Sequence, residues 1–181
     1  MNIYAIRNDG FRFQELDLDI NDIIDYFPDE VSYDDAHDFS LNNLSLKDFW
    51  PDIATGFAEI ADQENLLPDI TTWINATLVL SPRAFRYLGD ILTPFGEFLP
   101  VHVGDSTYQI FNCLTVAEVV ESESDETKLV FYEKSISGKL VFKSTFQKCI
   151  DIFCGEQLKN IIEELELSGV VFDTRLATPF Q

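Results

Sequence analysis

The sequence of 181 residues predicts an α+β fold with a mostly antiparallel sheet, a few packed helices and an acidic N-terminal lobe or extension. Three observations favour this fold class. Strand-like segments follow one another instead of alternating with helices, which is typical of α+β proteins. Two segments have the apolar spacing of amphipathic helices. Hydrophobic residues make up 46% of the chain, including 16 Phe, which is enough to build a sizeable core.

Charge divides the chain unevenly. Residues 1–80 carry 17 acidic and 3 basic side chains, a net charge of −14, and residues 81–181 contribute the remaining −6 of the total −20. We therefore distinguish an acidic N-terminal region, residues 1–80, from an α+β core, residues 81–181. No linker rich in Gly, Ser or Pro separates them, so the boundary is one of composition, and we expect one compact unit.

The first elements are predicted to form a hairpin. Residues 3–6 alternate apolar and small side chains and indicate a strand. Residues 11–16 alternate too, and the turn-forming residues 8–10 lie between the two segments, so we expect these strands to pair. Residues 28–52 are rich in Pro, Asp and Asn and predict a loop with short helical turns.

A helix is predicted to begin at Ser81 and Pro82. Residues 77–80 before it indicate either a short strand or an extended approach to this helix. The serine oxygen can cap free backbone N–H groups, and proline needs no N–H in the first helical turn. We expect Pro94 to end this helix. Its apolar face is formed by Phe85, Leu88 and Leu92.

Two further pairs of strands follow. Residues 98–103 and 108–114 flank a turn that contains Gly104, which predicts a hairpin. Residues 129–132 and 140–142 flank a second turn at Ser137-Gly138, and we expect them to pair as well.

The last predicted helix covers residues 156–165, whose leucines and isoleucines share one face. Gly169 supplies the expected helix stop, because glycine adopts the left-handed conformation at low cost. Residues 170–172 then predict a closing strand.

The net charge of −20 and the isoelectric point of about 4.1 argue against nucleic acid and anionic lipid as partners, because both are negatively charged. A basic protein is the electrostatic complement, although acidity can also serve solubility alone. The sequence shows no secretory signal and no apolar stretch long enough to span a bilayer. Three Cys in a chain of this size favour reduced thiols, so we expect a cytoplasmic protein, whose oligomeric state stays open.

No catalytic residue, cofactor or metal site is predicted. Gly138-Lys139 lacks the remainder of a phosphate-binding loop, and Asp17, Asp19 and Asn21 lack the glycine that a calcium loop needs. Cys149 and Cys154 are five residues apart with no nearby histidine, so buried thiols are favoured over zinc ligands. His37 lies among carboxylates that could attract a divalent cation, but an exposed acidic turn is the favoured interpretation. His102, on a predicted strand, is interpreted as a structural histidine.

Aromatic residues next to carboxylates predict the partner-binding surface. One group lies in residues 27–38 and the other in residues 49–52. Aromatic rings supply contact area, and carboxylates select lysine and arginine on a partner. Ordinary core packing is the alternative for the tryptophan, and the acidic run at residues 121–126 is interpreted as an exposed loop, with partner binding as its alternative. The candidate residues are Asp29, Glu30, Tyr33, Asp34, Asp35, Asp38, Trp50 and Asp52.

Five segments of the C-terminal half form a recognisable order of motifs, namely residues 78–88, 96–101, 108–114, 153–159 and 167–172. This order resembles immunity protein family eleven of the bacterial polymorphic-toxin systems, formerly a domain of unknown function. The resemblance covers roughly residues 75–175 and rests on apolar positions and turns. It implies a cytoplasmic antidote that binds and neutralises a cognate toxin, and it transfers no catalytic residue.

Three hypotheses for the function follow. The first is an immunity protein that occludes a basic toxin domain. The second is an acidic adaptor or nucleic-acid mimic, which would space its carboxylates like phosphates along one face. The third is an enzyme that uses carboxylates or a metal at Asp34, Asp35 and Asp38, which would require a deep pocket holding carboxylates of shifted pKa.

Overall fold

The computed structural model describes residues 2–10, 12–62 and 64–177. It combines β-strands, four short to medium α-helices and several single turns of 3-10 helix. The strands are β1 (Ile3–Asn8), β2 (Glu15–Leu16), β3 (Ala54–Thr55), β4 (Phe57–Ala58), β5 (Ile70–Thr72), β6 (Thr77–Leu80), β7 (Gly96–Val103), β8 (Ser106–Cys113), β9 (Val141–Phe142), β10 (Ile152–Gly155) and β11 (Val170–Asp173). The α-helices are α1 (Tyr33–His37), α2 (Pro82–Leu92), α3 (Glu133–Ile136) and α4 (Glu156–Glu164).

The strands form two main sheets and one small one. A five-stranded sheet has the order β3-β7-β8-β6-β5, in which only the β3–β7 pair is parallel. A four-stranded sheet has the order β11-β1-β10-β9 and is antiparallel throughout. Strands β2 and β4 form a separate antiparallel pair. This arrangement confirms the predicted α+β class with mostly antiparallel sheets.

Helices α2 and α4 share one hydrophobic core with both main sheets. The Ser81 hydroxyl accepts a hydrogen bond from the Ala84 backbone N–H at 3.1 Å, which confirms the predicted helix start. The core combines apolar residues of both helices with strands β6 and β8 from one sheet and β1, β9 and β10 from the other. Its fully buried members include Leu78, Leu80, Leu88, Leu92, Phe111, Val141, Cys154 and Leu158.

The opposite face of the five-stranded sheet is covered by the N-terminal segment. Val79, Leu99 and Ile110 point from this sheet into a second cluster. Residues 16–50 supply the facing side chains, among them Ile23, Phe27, Phe39 and Leu46. Residues 1–80 also contribute strands to all three sheets, so the division near residue 80 remains one of composition.

A third cluster lies on the outer face of the four-stranded sheet. The Phe142 and Phe153 rings stack there at a centroid distance of 6.0 Å, and Phe131 packs edge-on against both rings. Residues 117–136 cover these rings through Val119, Leu129 and Ile136.

The predicted N-terminal hairpin is wrong. Strand β1 lies in the interior of the four-stranded sheet, between β10 and β11, so no free edge remains for the segment that follows it. Glu15 and Leu16 pair instead with β4. Phe11, which opened the predicted second strand, lies outside the described residues.

The predicted pairing of residues 129–132 with residues 140–142 is also wrong. The intervening chain forms helix α3, Phe131 makes an isolated bridge with Val119, and β9 pairs with β10. Pairing with β10 places the completely buried Phe142 against Phe153.

Gly169 does not stop helix α4. The helix ends at Glu164, and Glu166 adopts the left-handed conformation with φ of 52°. Gly169, with φ of 111°, packs directly against Pro68 and the carbonyl oxygen of Ile70, where a Cβ atom would overlap both. Backbone hydrogen bonds from Asp69 and Ile70 to the Ser168 carbonyl hold the two segments together.

We therefore expect Gly169→Ala to lower the free energy of unfolding by at least about 3 kcal/mol. The strain of a positive φ and the overlap of the new Cβ atom with Pro68 and the Ile70 carbonyl both destabilise the folded state. The matched control is Gly104→Ala, where φ is also positive but no atom lies within 4 Å of the added Cβ. The free energy of unfolding of that variant should fall by only about 1 kcal/mol, because alanine is strained at a positive φ. Urea unfolding of both variants measures the difference, and equal losses would contradict the role of close packing.

All three cysteines are free and buried, and burial was predicted for Cys149 and Cys154. Burial raises the pKa of Cys113 to about 11 and that of Cys154 to about 12. These thiols therefore stay protonated and unreactive at neutral pH.

Cys154 should make the fold sensitive to alkali. Above pH 9 the unfolded chain loses this proton while the folded chain keeps it, so stability falls by on the order of 1.4 kcal/mol per pH unit up to the folded pKa. The Cys154→Ala variant lacks this term, so its unfolding free energy should fall less steeply between pH 9 and pH 11. Urea unfolding at several pH values tests this, and parallel curves for the two proteins would refute it.

Candidate partner-binding surface

Residues 19–30 run along the outside of the second cluster. Asp19 and Asp22 cap a turn of 3-10 helix reciprocally, with the Asn21 N–H donating to Asp19 at 2.8 Å. Ile23 is completely buried, and the buried Phe27 packs edge-on against Phe49 at a centroid distance of 4.8 Å. This burial turns the polar side chains between the apolar anchors toward solvent.

Helix α1 continues this surface. The Ser32 hydroxyl accepts from the Asp35 N–H at 3.1 Å and donates to the Asp35 carboxylate at 2.7 Å. The Asn42 side chain also donates to Asp35, at 3.0 Å, so this carboxylate stabilises the local fold. The Tyr33 hydroxyl donates to the Asn21 side chain at 3.0 Å and joins α1 to the preceding 3-10 turns.

The resulting acidic surface carries two exposed tyrosines. Tyr26 is 60% exposed and Tyr33 is 61% exposed, and the sequence has no Lys or Arg between Arg12 and Lys47. We define the acidic surface as the residues Asp25, Tyr26, Asp29, Glu30, Tyr33, Asp34 and Asp38.

Tyr26 was missed by the sequence analysis. Its position between the acidic Asp25 and the buried Phe27 is the signal that could have found it, since the apolar residues Ile23 and Phe27 define the inward side.

The structure brings together the candidates of residues 29–38 but places the other two on a separate segment. Trp50 is half-buried, packs edge-on against Trp73 at 6.1 Å and donates from Nε1 to the Pro100 carbonyl at 2.8 Å. Asp52 is exposed and lies 2.9 Å from Nε2 of His102 on β7. Trp50 therefore supports the fold, and Asp52 forms an ion pair whenever the imidazole is protonated.

A buried carboxylate anchors the segment that follows α1. Glu97, on β7, accepts hydrogen bonds from the Leu46 N–H at 2.7 Å, from the Asn112 side chain at 2.8 Å and from the Ser45 hydroxyl at 2.6 Å. Asn112 also donates to the Leu44 carbonyl at 3.0 Å. The strand alternation of Glu97 with Leu99 and Val101 could have indicated that Glu97 faces inward.

A buried lysine makes a second anchor. Lys143 is fully buried, and its Nζ donates to the Ser40 carbonyl at 2.6 Å. The Ser40 hydroxyl donates in turn to the Cys149 carbonyl at 3.1 Å. Burial lowers the pKa of Lys143, and the neighbouring Cys149, Cys113 and Glu97 oppose that shift. No periodic signal could have found this lysine, because residues 141–144 are all buried.

The His37 and carboxylate side chains considered as metal ligands do not form a metal site in the described residues. Across residues 2–10, 12–62 and 64–177, no group of three or more His, Cys, Asp or Glu side chains is placed to hold a metal ion. The His37 ring packs against Tyr33 at a centroid distance of 4.4 Å. Among the helices that the structure describes, none has the length and apolar character needed to cross a membrane.

Comparison with protein-family models gives no match for this sequence, and comparison with curated proteins gives no match either.

We expect Glu97→Ala to lower the free energy of unfolding by about 3 kcal/mol. The reason is that the Ser45 hydroxyl, the Leu46 N–H and the Asn112 side chain lose their carboxylate acceptor in the interior. Glu133→Ala, at an exposed position on α3, is the control and should change stability by less than about 0.5 kcal/mol. Urea unfolding gives both values. Limited proteolysis should also cut the Glu97→Ala variant faster within residues 28–50, and an unchanged cleavage rate would argue against the anchoring role.

Proposed function

We propose that this protein is a cytoplasmic immunity protein that binds a basic bacterial toxin domain and neutralises it by occlusion. The observation that carries the proposal is the acidic surface, on which two exposed tyrosines stand among five carboxylates on a firmly anchored support. The resemblance to immunity protein family eleven gives the partner class. No catalytic step is assigned to the chain itself.

The charge of this surface suits a basic partner. Opposite potentials accelerate encounter and exclude partners of the wrong charge. The five carboxylates lie within residues 25–38, a stretch without Lys or Arg, so their fields add. A toxin domain that acts on nucleic acid would present the complementary positive surface.

The two tyrosines can supply buried contact area, which charged side chains alone do not provide. Tyrosine is enriched among residues that dominate binding energy, because its ring buries a large area at a small cost in conformational entropy. Tyr33 is also held in place by its hydrogen bond to Asn21. A preorganised aromatic side chain loses little freedom on binding, which favours slow dissociation.

The first experiment is a pull-down with tagged protein from its native host, washed at low and then at moderate salt. We expect one near-stoichiometric protein that is toxic when expressed alone and harmless when co-expressed with this chain. Failure to retain any protein at low salt would contradict the proposal. Release by polyanions of a partner that is not toxic would favour the acidic adaptor instead.

Neutralising the acidic surface should slow association with the captured toxin. The variant is Asp29→Asn, Glu30→Gln, Asp34→Asn and Asp38→Asn combined, and we expect at least a tenfold lower association rate at low salt, because steering is lost. The control neutralises four exposed carboxylates elsewhere, Asp90, Asp105, Glu126 and Glu164, and so has the same net charge. Surface plasmon resonance measures the association rates of both variants. An equal decrease in the two rates would show that only the total charge of the protein matters.

Removing the tyrosine anchors should act on dissociation. Tyr26→Ala and Tyr33→Ala should each weaken toxin binding by about tenfold or more, mainly through faster dissociation. Tyr87→Ala removes a comparably exposed tyrosine from α2 and serves as the control. Unchanged dissociation rates for both variants would place the interface elsewhere.

A further inference from the structure

A groove outside the acidic surface is formed by three segments on the outer side of the third cluster. Its volume is about 770 Å³. One wall comes from residues 118–122, a second from Tyr132 before α3, and a third from residues 144–146. Two aromatic side chains stand in it with much of their surface exposed, since Tyr132 is 44% and Phe146 is 40% accessible.

The walls of this groove are held by defined contacts. The Tyr132 N–H donates to the Glu118 carbonyl at 3.1 Å, and Val119 bridges Phe131. The buried Ser144 hydroxyl accepts from the Phe146 N–H at 3.3 Å. The stacked phenylalanines of the third cluster lie beneath Val119, so the groove is formed on a packed base.

The chemistry of the lining selects a cation. Glu118 and Glu121 are exposed carboxylates, and none of the described residues that line the groove is basic. The faces of tyrosine and phenylalanine attract lysine ammonium and arginine guanidinium groups. Anions are repelled both by the two glutamates and by the net charge of −20.

We propose that this groove is a second recognition site, which takes a lysine or arginine side chain from a basic protein segment between Tyr132 and Phe146. Glu118 and Glu121 balance the positive charge. The groove volume exceeds that of one side chain and leaves room for the flanking peptide backbone. The site lies outside the acidic surface and can be tested without the toxin, so its failure would leave the proposed function standing.

The test uses a probe with a single positive charge, which limits general attraction to the acidic protein. The probe is the peptide Gly-Gly-Arg-Gly-Gly with acetylated and amidated ends, titrated at physiological salt while amide chemical shifts are followed by NMR. We expect shifts at residues 118–122, 132 and 144–146. The same peptide with citrulline in place of arginine has almost the same shape without the charge, and it should bind at least fivefold more weakly.

Variants separate the aromatic contribution from the charge. Tyr132→Leu and Phe146→Leu should each weaken arginine-peptide binding by about two- to fivefold. Glu118→Gln with Glu121→Gln should weaken it and leave both rings in place. The controls are Tyr87→Leu for exposed aromatic surface and Asp90→Asn with Glu164→Gln for charge, and these should bind like the unchanged protein.

Two results would overturn the proposal. Equal binding of the arginine and citrulline peptides would show that the groove does not select a cation. Shifts spread over residues 25–38, with no effect of the groove variants, would show that the peptide only responds to total charge. The spectra of the variants also report whether each keeps the fold, and the double glutamate variant, which alters only exposed side chains, tests the site without disturbing the base.

Discussion

The carboxylate of Glu97 fixes the N-terminal layer on the five-stranded sheet. It lies in the interior, so its three hydrogen bonds replace the water that it gave up on folding. Two of the donors belong to residues 45 and 46, directly beyond the segment that carries α1. Lys143 holds the same stretch of chain from the other side through Ser40. The chain directly after α1 is therefore held on the sheet by two buried residues, Glu97 and Lys143.

The acidic surface forms against its own repulsion. Like charges on neighbouring turns oppose each other by a few tenths of a kcal/mol per pair when they face water. Each large apolar side chain that becomes buried contributes about 1.5–3 kcal/mol. Ile23, Phe27 and Phe39 lie beneath this surface, so burial outweighs repulsion by a wide margin. Such a segment can concentrate negative charge because its inner side is strongly apolar.

Local signals in the sequence predicted the local structure well. The Ser81 cap, the turn at Gly104 and the amphipathic spacing of α2 and α4 each depend on residues close together in the chain, and all three are present. The errors in strand pairing arose because alternation, as in residues 3–6, indicates a strand but not its neighbours. One local prediction was also wrong, since Gly169 does not end α4. For the candidate surface, the sequence found the exposed carboxylates of residues 29–38 but missed Tyr26. It did not show that Trp50 belongs to the core, because an aromatic residue that binds a partner and one that packs in the core look the same in the sequence.

The pairing of β1 has a consequence for the order of events during synthesis. This strand is synthesised before its two neighbours, β10 and β11, which begin at Ile152 and Val170. The nascent chain must therefore keep Tyr4 and Ile6 without their final neighbours until almost the whole described chain has been made. Contacts across such a sequence distance form slowly, because a large loop has to close before any stabilisation is gained. Completion of the four-stranded sheet is thus a late step in folding. A product truncated before Val170 lacks β11 and leaves one edge of β1 open to aggregation.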